Sequence, residues 1–442
     1  MNKPPLTRGL APGRGMAALT VVMILFFVMA LVAAYTNRNL LFEQRISANS
    51  YRSNRALEAA DAGVEWTVAM LNAGRVDGNC RATNNAAFGD FRSRYLVRSD
   101  TAVNPVNGQL NLEGGFGLQW GAVEANRIYP ACIVRDGALS CICPLPNVAV
   151  PDIGAPADGI GSAFRIMLFL PGNAVRAGAM QFTSRGCSNP GSGNTACFAQ
   201  NNNMPAVDGV SAALTTVGLV RALPVAPLAP LTTGTDVIDG GGKLVVINLD
   251  TQTDGLTVRA GGAIQPAKSD LSRLRSGVDT WQAGDNRLAA AAAAANEGWF
   301  RALFAMDAAT YRQQPAVIRL DCAAGCGQAQ LAAALAGYPG NPIWLDGNLN
   351  LDAAGNIGSL ANPAMLIVTG TLTVSSNVDL VGFVHANRVD WTSLASVQGA
   401  VVSATSFNAN AEARLTYNKA VLDTIRLTYG SFVRTPGSWN LF

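Results

Sequence analysis

Side chains that carry chemistry are sparse in this chain. Of 442 residues only one is histidine, His385, set in VGFVHANRV, where alternation places it on a strand. One imidazole argues against a Cys–His nucleophile and excludes a multi-histidine metal centre. A Ser-His-Asp set would have to be built on this residue alone. No G-x-S-x-G turn supplies its serine, and PGSGN has the glycines of a phosphate loop without the lysine. The run DGNLNLD puts Asp346, Asn348, Asn350 and Asp352 on one strand face, a set of oxygen donors that could hold Ca²⁺. Against an EF-hand loop, however, the required glycine is Leu351 and the closing glutamate is Ile357, so polar strand decoration is expected. Asp379, Arg388 and Asp390 would suit a polysaccharide-acting enzyme only if the fold brought them together. No catalytic residue, cofactor or metal is therefore expected.

Eight cysteines remain: Cys80, Cys132, Cys141, Cys143, Cys187, Cys197, Cys322 and Cys326. Zinc needs ligand pairs such as two CxxC, or cysteine with histidine, and the spacings give neither. An even number, all beyond the first apolar segment, fits disulfides in an oxidising compartment. Cys187 and Cys197 bracket SNPGSGNTA, a loop that a bridge would pin, and Cys322 and Cys326 bracket AAG in the same way. A redox role for Cys141-Ile142-Cys143 lacks a thioredoxin-like βαβ setting.

These residues sit in a chain that is 49% hydrophobic and 14% charged, with 45 glycines and 21 prolines. Such a balance favours a β-rich, turn-rich body, and the length calls for more than one unit. A net charge of +3 without a basic run beyond the first residues gives no footprint for nucleic acid.

The strongest single signal is Met16–Tyr35, twenty residues without a charge. As a helix they reach about 30 Å, one bilayer's hydrocarbon thickness. That length favours a retained helix, although Val32-Ala33-Ala34 would also satisfy a signal peptidase. Lys3, Arg8 and Arg14 precede the segment and Arg38, Arg45, Arg52 and Arg55 follow it, so charge alone does not orient it. The cysteines do, by placing the bulk outside the cytoplasm. Beyond it, Leu57, Ala60, Val64, Val68 and Leu71 recur at helical spacing, and the helix should run on to about Asn72, with Gly74 as the stop.

A basic leader ending in Gly15, an apolar start at Met16 and a long half-amphipathic helix resemble a type IV pilin precursor. The run from Gly15 to Gly63 is most similar to PilX-type minor pilins, with Glu43, Arg45, Asn49, Arg55, Glu58 and Asp61 on the family's polar pattern. The resemblance implies cleavage by a prepilin peptidase between Gly15 and Met16 and methylation of the new terminus. It implies an assembly helix that includes Met16, Thr20, Phe26 and Phe27 and packs against other major and minor pilins. A single pass through the inner membrane, a periplasmic head, an extracellular pilus and a possible tip adhesin as partner follow from the same likeness. Major pilins carry glutamate at the fifth mature position, where this chain has Thr20. A buried carboxylate needs a partner, which in a pilus is the next subunit's amino terminus. A subunit without it suits a tip or an initiation complex; the plainer alternative is that Thr20 bonds its own helix.

The expected class is α+β: a long pilin-like helix whose apolar half crosses the membrane, then a large β-rich head, solenoid-like in its last third. Residues 1–15 form the leader and 16–74 the helix. Residues 75–235 form a mixed β-rich region with stapled loops, in which DFRSRYLVRSD and RIYPACIV read as strands. Residues 236–442 form a β-rich stack with one inserted helix over about 285–313. The helix WFRALFAM…YRQQP, the strand IWLDGNLNL and the closing PGSWNLF also resemble the large PilX-type assembly proteins. A non-catalytic minor pilin with a head for adhesion or docking is the reading. The alternatives are a tip pseudopilin of type II secretion and a membrane-anchored β-helical enzyme.

Overall fold

The computed structural model describes residues 14–98, 116–118, 130–135, 137–144, 161–169, 179–189, 209–240, 244–265, 271–272, 279–293 and 297–441. The chain opens with α1 (Arg14–Asn72), a continuous helix of 59 residues. From Met16 to Ala62 it contains neither glycine nor proline, and Ala, Leu, Met, Arg and Glu favour it throughout. At 1.5 Å per residue it is roughly 90 Å long. Residues 18–54 are exposed, and burial starts at Ala56.

A disulfide-bearing loop leads to α2 (Phe91–Tyr95) and β1 (Leu96–Arg98), which pairs with β2 (Phe116–Leu118). The expectation of a strand through DFRSRYLVRSD is corrected here. Its first half is a helical turn because the Asp90 side chain accepts from Ser93 N and caps it. The next strands are β3 (Ala131–Arg135), β4 (Ala138–Ile142), β5 (Ala163–Phe169), β6 (Ala179–Cys187) and β7 (Val210–Arg221). They form an antiparallel sheet in the order β7-β6-β5-β3-β4. Alternate burial along β6 leaves Met180, Phe182 and Ser184 facing the core under α1.

A second, parallel sheet begins at β8 (Leu231–Thr233), β9 (Val237–Asp239) and β10 (Leu244–Ile247), followed by β11 (Val258–Ala260) and β12 (Trp281–Gln282). Three helices come next, α3 (Asn286–Ala293), α4 (Glu297–Phe304) and α5 (Ala308–Arg312). The chain then makes β13 (Ile318–Gly327), α6 (Gln328–Gly337), β14 (Ile343–Leu351) and β15 (Gly355–Ile357). The run ends with β16 (Ala364–Val374), β17 (Val378–Trp391), β18 (Ala395–Ser403), β19 (Phe407–Ala409) and β20 (Ala413–Thr416). After α7 (Lys419–Thr428), β21 (Gly430–Arg434) and β22 (Asn440–Leu441) return to the first sheet and pair with β7.

This parallel sheet is a β-solenoid, with its strands stacked in the order β12-β11-β8-β18-β17-β16-β14-β13. It is not stacked in chain order. The last coil lies on the first, with Val401 beside Leu231 and Ala413 beside Leu244. One inward ladder runs Ile318, Ile343, Leu366, Val384, Val401, Leu231, Val258, Trp281. From Ile343 to Val258 this column is buried branched aliphatics that fill a narrow lumen, each worth about 1.5–3 kcal/mol, with the partly buried Ile318 and Trp281 at its two ends. Leu331 and Ala334 of α6 join that core at the β13 end. The corner before this ladder turns at Gly382 and Gly399, with φ of 157° and 140°. A Cβ on Gly399 would stand 1.9 Å from Gly382 O, so no larger residue fits the stack there.

The single helix expected over 285–313 is three short ones. Ala305, at φ 56°, ends α4, and Asp307 caps α5 by accepting from Thr310 N. Together they strap the outside of the stack. Arg259 on β11 pairs with Asp285 just before α3, and Arg312 on α5 pairs with Asp346 on β14. Between those ties Phe300, Leu303, Phe304 and Tyr311 pack on Trp344, Ile367, Phe383 and Val402. The strap thus carries the chain from one end of the solenoid to the other.

Candidate assembly helix and its dock on the head

From Ala18 to Asn54 α1 is exposed to its surroundings. Phe26 and Phe27 are 74% and 67% exposed, and residues Leu19 to Val32 are exposed throughout. By length and composition this helix can cross a membrane, with a mean hydropathy of 2.6 in its most apolar window. Gly15 and Met16 lie in its first turn by backbone, and Thr20 is exposed on it. Glu43, Arg45, Asn49, Glu58 and Asp61 are exposed as well, so the polar pattern points away from the head. On the same stretch Arg38 lies over the Phe42 ring and Arg55 over Tyr51.

The second half is seated on β6 and β7 by small residues. Ala56, Ala59, Ala60, Gly63, Val64, Thr67, Met70 and Leu71 are buried, while Leu57 and Val68 are only half-buried. At Gly63 an added Cβ would meet Ser184 Oγ at 2.1 Å, and at Gly186 it would meet Ala56 O at 2.1 Å. Helix backbone therefore lies directly on strand backbone. Trp66 packs edge-on against Phe91 and tilts over Phe164 at the side of this seam. At the surface Arg434 pairs with Glu65.

The helix ends in a polar clamp that gathers three parts of the chain. The Asn72 side chain donates to Phe432 O at 2.9 Å and accepts from Phe432 N at 2.8 Å, as a strand neighbour would. Arg92 donates to Leu71 O, to Asn72 Oδ1 at 3.1 Å and to Gly430 O at 2.7 Å, and its guanidinium lies 4.8 Å from the Phe432 ring centre. Burial pulls its pKa down to about 10, with the Asp90 charge acting the other way. Asn341 of the solenoid donates to Asn72 O and to Ala316 O. Leu71 O and Asn72 O belong to the open carbonyls of the helix end, and each gains a donor here. The sequence reading passed over Asn72, Arg92 and Asn341, since polar residues scattered that widely carry no common local signal. Gly63, inside the expected helix, carries no signal in the sequence that it is the tightest contact with the sheet.

Disulfides tie the loops beside the dock. Cys80 is bonded to Cys143, Cys132 to Cys141 and Cys322 to Cys326. Cys187 is disulfide-bonded too, and its expected bridge to Cys197 falls on a residue outside those described. Arg94 donates to Cys143 O and Asp77 O, and Tyr95 to Pro144 O, so the Cys80 loop is held from within.

The sets considered for catalysis or metal do not converge. Asp346 pairs with Arg312 and accepts from Trp344 Nε1, Asn348 from Thr371 N, Asn350 from Ser375 Oγ, and Asp352 from Gln328 N. Arg388 bonds Asp390, whereas Asp379 accepts from Ser396. Among the described residues no group of three or more His, Cys, Asp or Glu could hold a metal ion. His385 lies on the outer face of β17 where its stacked neighbours are Ile367 and Val402. Phe300 and Phe304 stand edge-on to it, neither ring nitrogen has a hydrogen-bond partner among the described residues, and burial lowers its pKa to about 4.

Residues 14–65 match the family model for the PilX N-terminal segment. Among solved structures the chain is similar to the competence-associated pilin ComZ from Thermus thermophilus, at 11% identity and a TM-score of 0.22, over 88% of this chain and 97% of that one. No curated protein matches the sequence. The chain therefore carries a PilX N-terminal segment at residues 14–65, followed by a head that the family model does not reach.

Proposed function

We propose that this chain is a minor type IV pilin, cut by a prepilin peptidase between Gly15 and Met16 and methylated on the new terminus. The observation that carries the reading is α1. One unbroken helix, which contains the PilX-matched segment, leaves its apolar half exposed on all sides and seats its second half on the head. So large an apolar surface is not stable in water. A bilayer covers it before assembly, and a bundle of like helices covers it afterwards, so extraction exchanges one apolar surround for another. The exposed Glu43, Arg45, Asn49, Glu58 and Asp61 are then free to meet neighbouring pilins.

Thr20 at the fifth mature position supports a place at an end of the filament. It offers no carboxylate for the amino terminus of another subunit, so the chain can start or cap a helix bundle and extends it poorly. The head is periplasmic before assembly and extracellular in the pilus, where it docks partners such as a tip adhesin or contacts a surface. Nothing in this role requires catalysis. The test is mass spectrometry of sheared surface filaments from cells making the wild type or Gly15→Ala. The wild type is expected in the filaments and Gly15→Ala only in the membrane. Equal recovery of both, or absence of the wild type from filaments, contradicts the reading.

A further inference from the structure

A cleft of about 260 Å³ opens beside the helix-end clamp, between the loop of residues 75–96 and the near end of the solenoid. We propose that this cleft binds a carboxylate-bearing sugar ring, a uronate unit.

Two guanidinium groups line it, and each has a nitrogen to offer. Arg75 gives Nε to Ala336 O and Nη1 to Phe88 O, and its Nη2 has no partner among the described residues. Arg92 is 7% exposed and gives Nε and Nη2 to Leu71, Asn72 and Gly430. Its Nη1 has no partner among the described residues. An arginine held that rigidly by backbone carbonyls is a preorganised donor for a carboxylate, and charge-assisted bonds of this kind are the strong ones.

A carboxylate alone does not complete the site. Asp90 uses Oδ1 to cap α2, and its Oδ2 has no donor among the described residues. The Asn362 side-chain amide has no partner among the described residues either, while its backbone closes a turn with Ser359. Sugar hydroxyls both donate and accept, and so answer Asp90 and Asn362 together; the acidic side chain of a peptide has no donor for Asp90. Leu96, Pro339 and Tyr429 supply an apolar wall for a ring face. The volume lies below the range of about 300–1,000 Å³ usual for drug-sized ligands, which limits the occupant to one ring. The proposal goes beyond the filament reading and does not depend on it, since binding is measured on the isolated chain.

The test is saturation-transfer NMR and titration calorimetry on the full chain in detergent, with glucuronate, glucose and N-acetylglutamate as probes. Glucuronate is expected to bind with a Kd on the order of 1 mM, and glucose about tenfold more weakly or worse. Ala361→Glu, at the exposed rim, should weaken glucuronate by about tenfold or more through charge repulsion, with Ala361→Gln close to wild type. No glucuronate binding, or binding that Ala361→Glu leaves unchanged, overturns the proposal. N-acetylglutamate binding as tightly as glucuronate overturns the sugar assignment in favour of an acidic residue on a partner protein.

Discussion

At Gly63 a methyl group would stand 2.1 Å from Ser184 Oγ and 2.8 Å from the Phe164 ring, so the helix can lie this close to β6 only without a side chain. Gly63→Leu is expected to push α1 off the sheet and cost about 3 kcal/mol of head stability, read as the shift of the urea unfolding midpoint. Glu58→Ala, on the exposed face of the same helix, should stay within about 0.5 kcal/mol. His385 supplies a second test at this scale. Its folded pKa, about 4, lies below the ordinary 6.5, so the unfolded chain takes up a proton that the folded chain refuses. Stability from this group is complete above about pH 6.5 and falls as pH drops toward 4, by about 3 kcal/mol over the window. His385→Phe, which matches its phenylalanine neighbours, should remove that part of the acid sensitivity. An unchanged difference between unfolding curves at pH 7 and pH 4.5 would contradict it.

Among the elements, the disulfides of longest and shortest span among the described residues should differ in weight. Cys80–Cys143 closes a loop of sequence separation 63, and Cys322–Cys326 one of separation 4. Chain-entropy closure gives about 4 kcal/mol for the first and about 2 kcal/mol for the second. Serine pairs at 80/143 and at 322/326 should therefore lower the thermal midpoint unequally, the first by more. The strap gives another expectation. Phe304 is fully buried against Phe300, Tyr311 and Phe383, and Phe304→Ala should cost about 3–5 kcal/mol in the same assay. Element by element, the sequence was legible where the signal is local. The twenty apolar residues and the 3.6-residue spacing that follows gave α1, and the recurring strands with glycine and asparagine corners gave the solenoid. What it could not carry was which coil lies on which. Val401 meets Leu231 across the whole strap, and that pairing depends on register between distant segments, not on any local period. Residues 91–95 were misread because their β-favouring aromatics outweighed one capping aspartate.

The whole molecule is a rod joined to a two-part head, and the joint is the region of Asn72, Arg92, Phe432 and Asn341. Because β21 and β22 return from the end of the solenoid to the first sheet, pulling on α1 loads both parts of the head at once. That suits a subunit drawn from a membrane into a filament with its head intact. The candidate site was only half visible beforehand: the leader junction and polar pattern lie in one contiguous stretch, whereas the dock is built from residues near 70, 92, 341 and 432. The account rests on α1 being a processed pilin helix, and amino-terminal sequencing with intact mass of protein from native membranes or sheared filaments tests that most directly. The expected result is a chain beginning at N-methylated Met16. A chain beginning at Met1, or at Tyr35 after signal-peptidase cleavage, would contradict it.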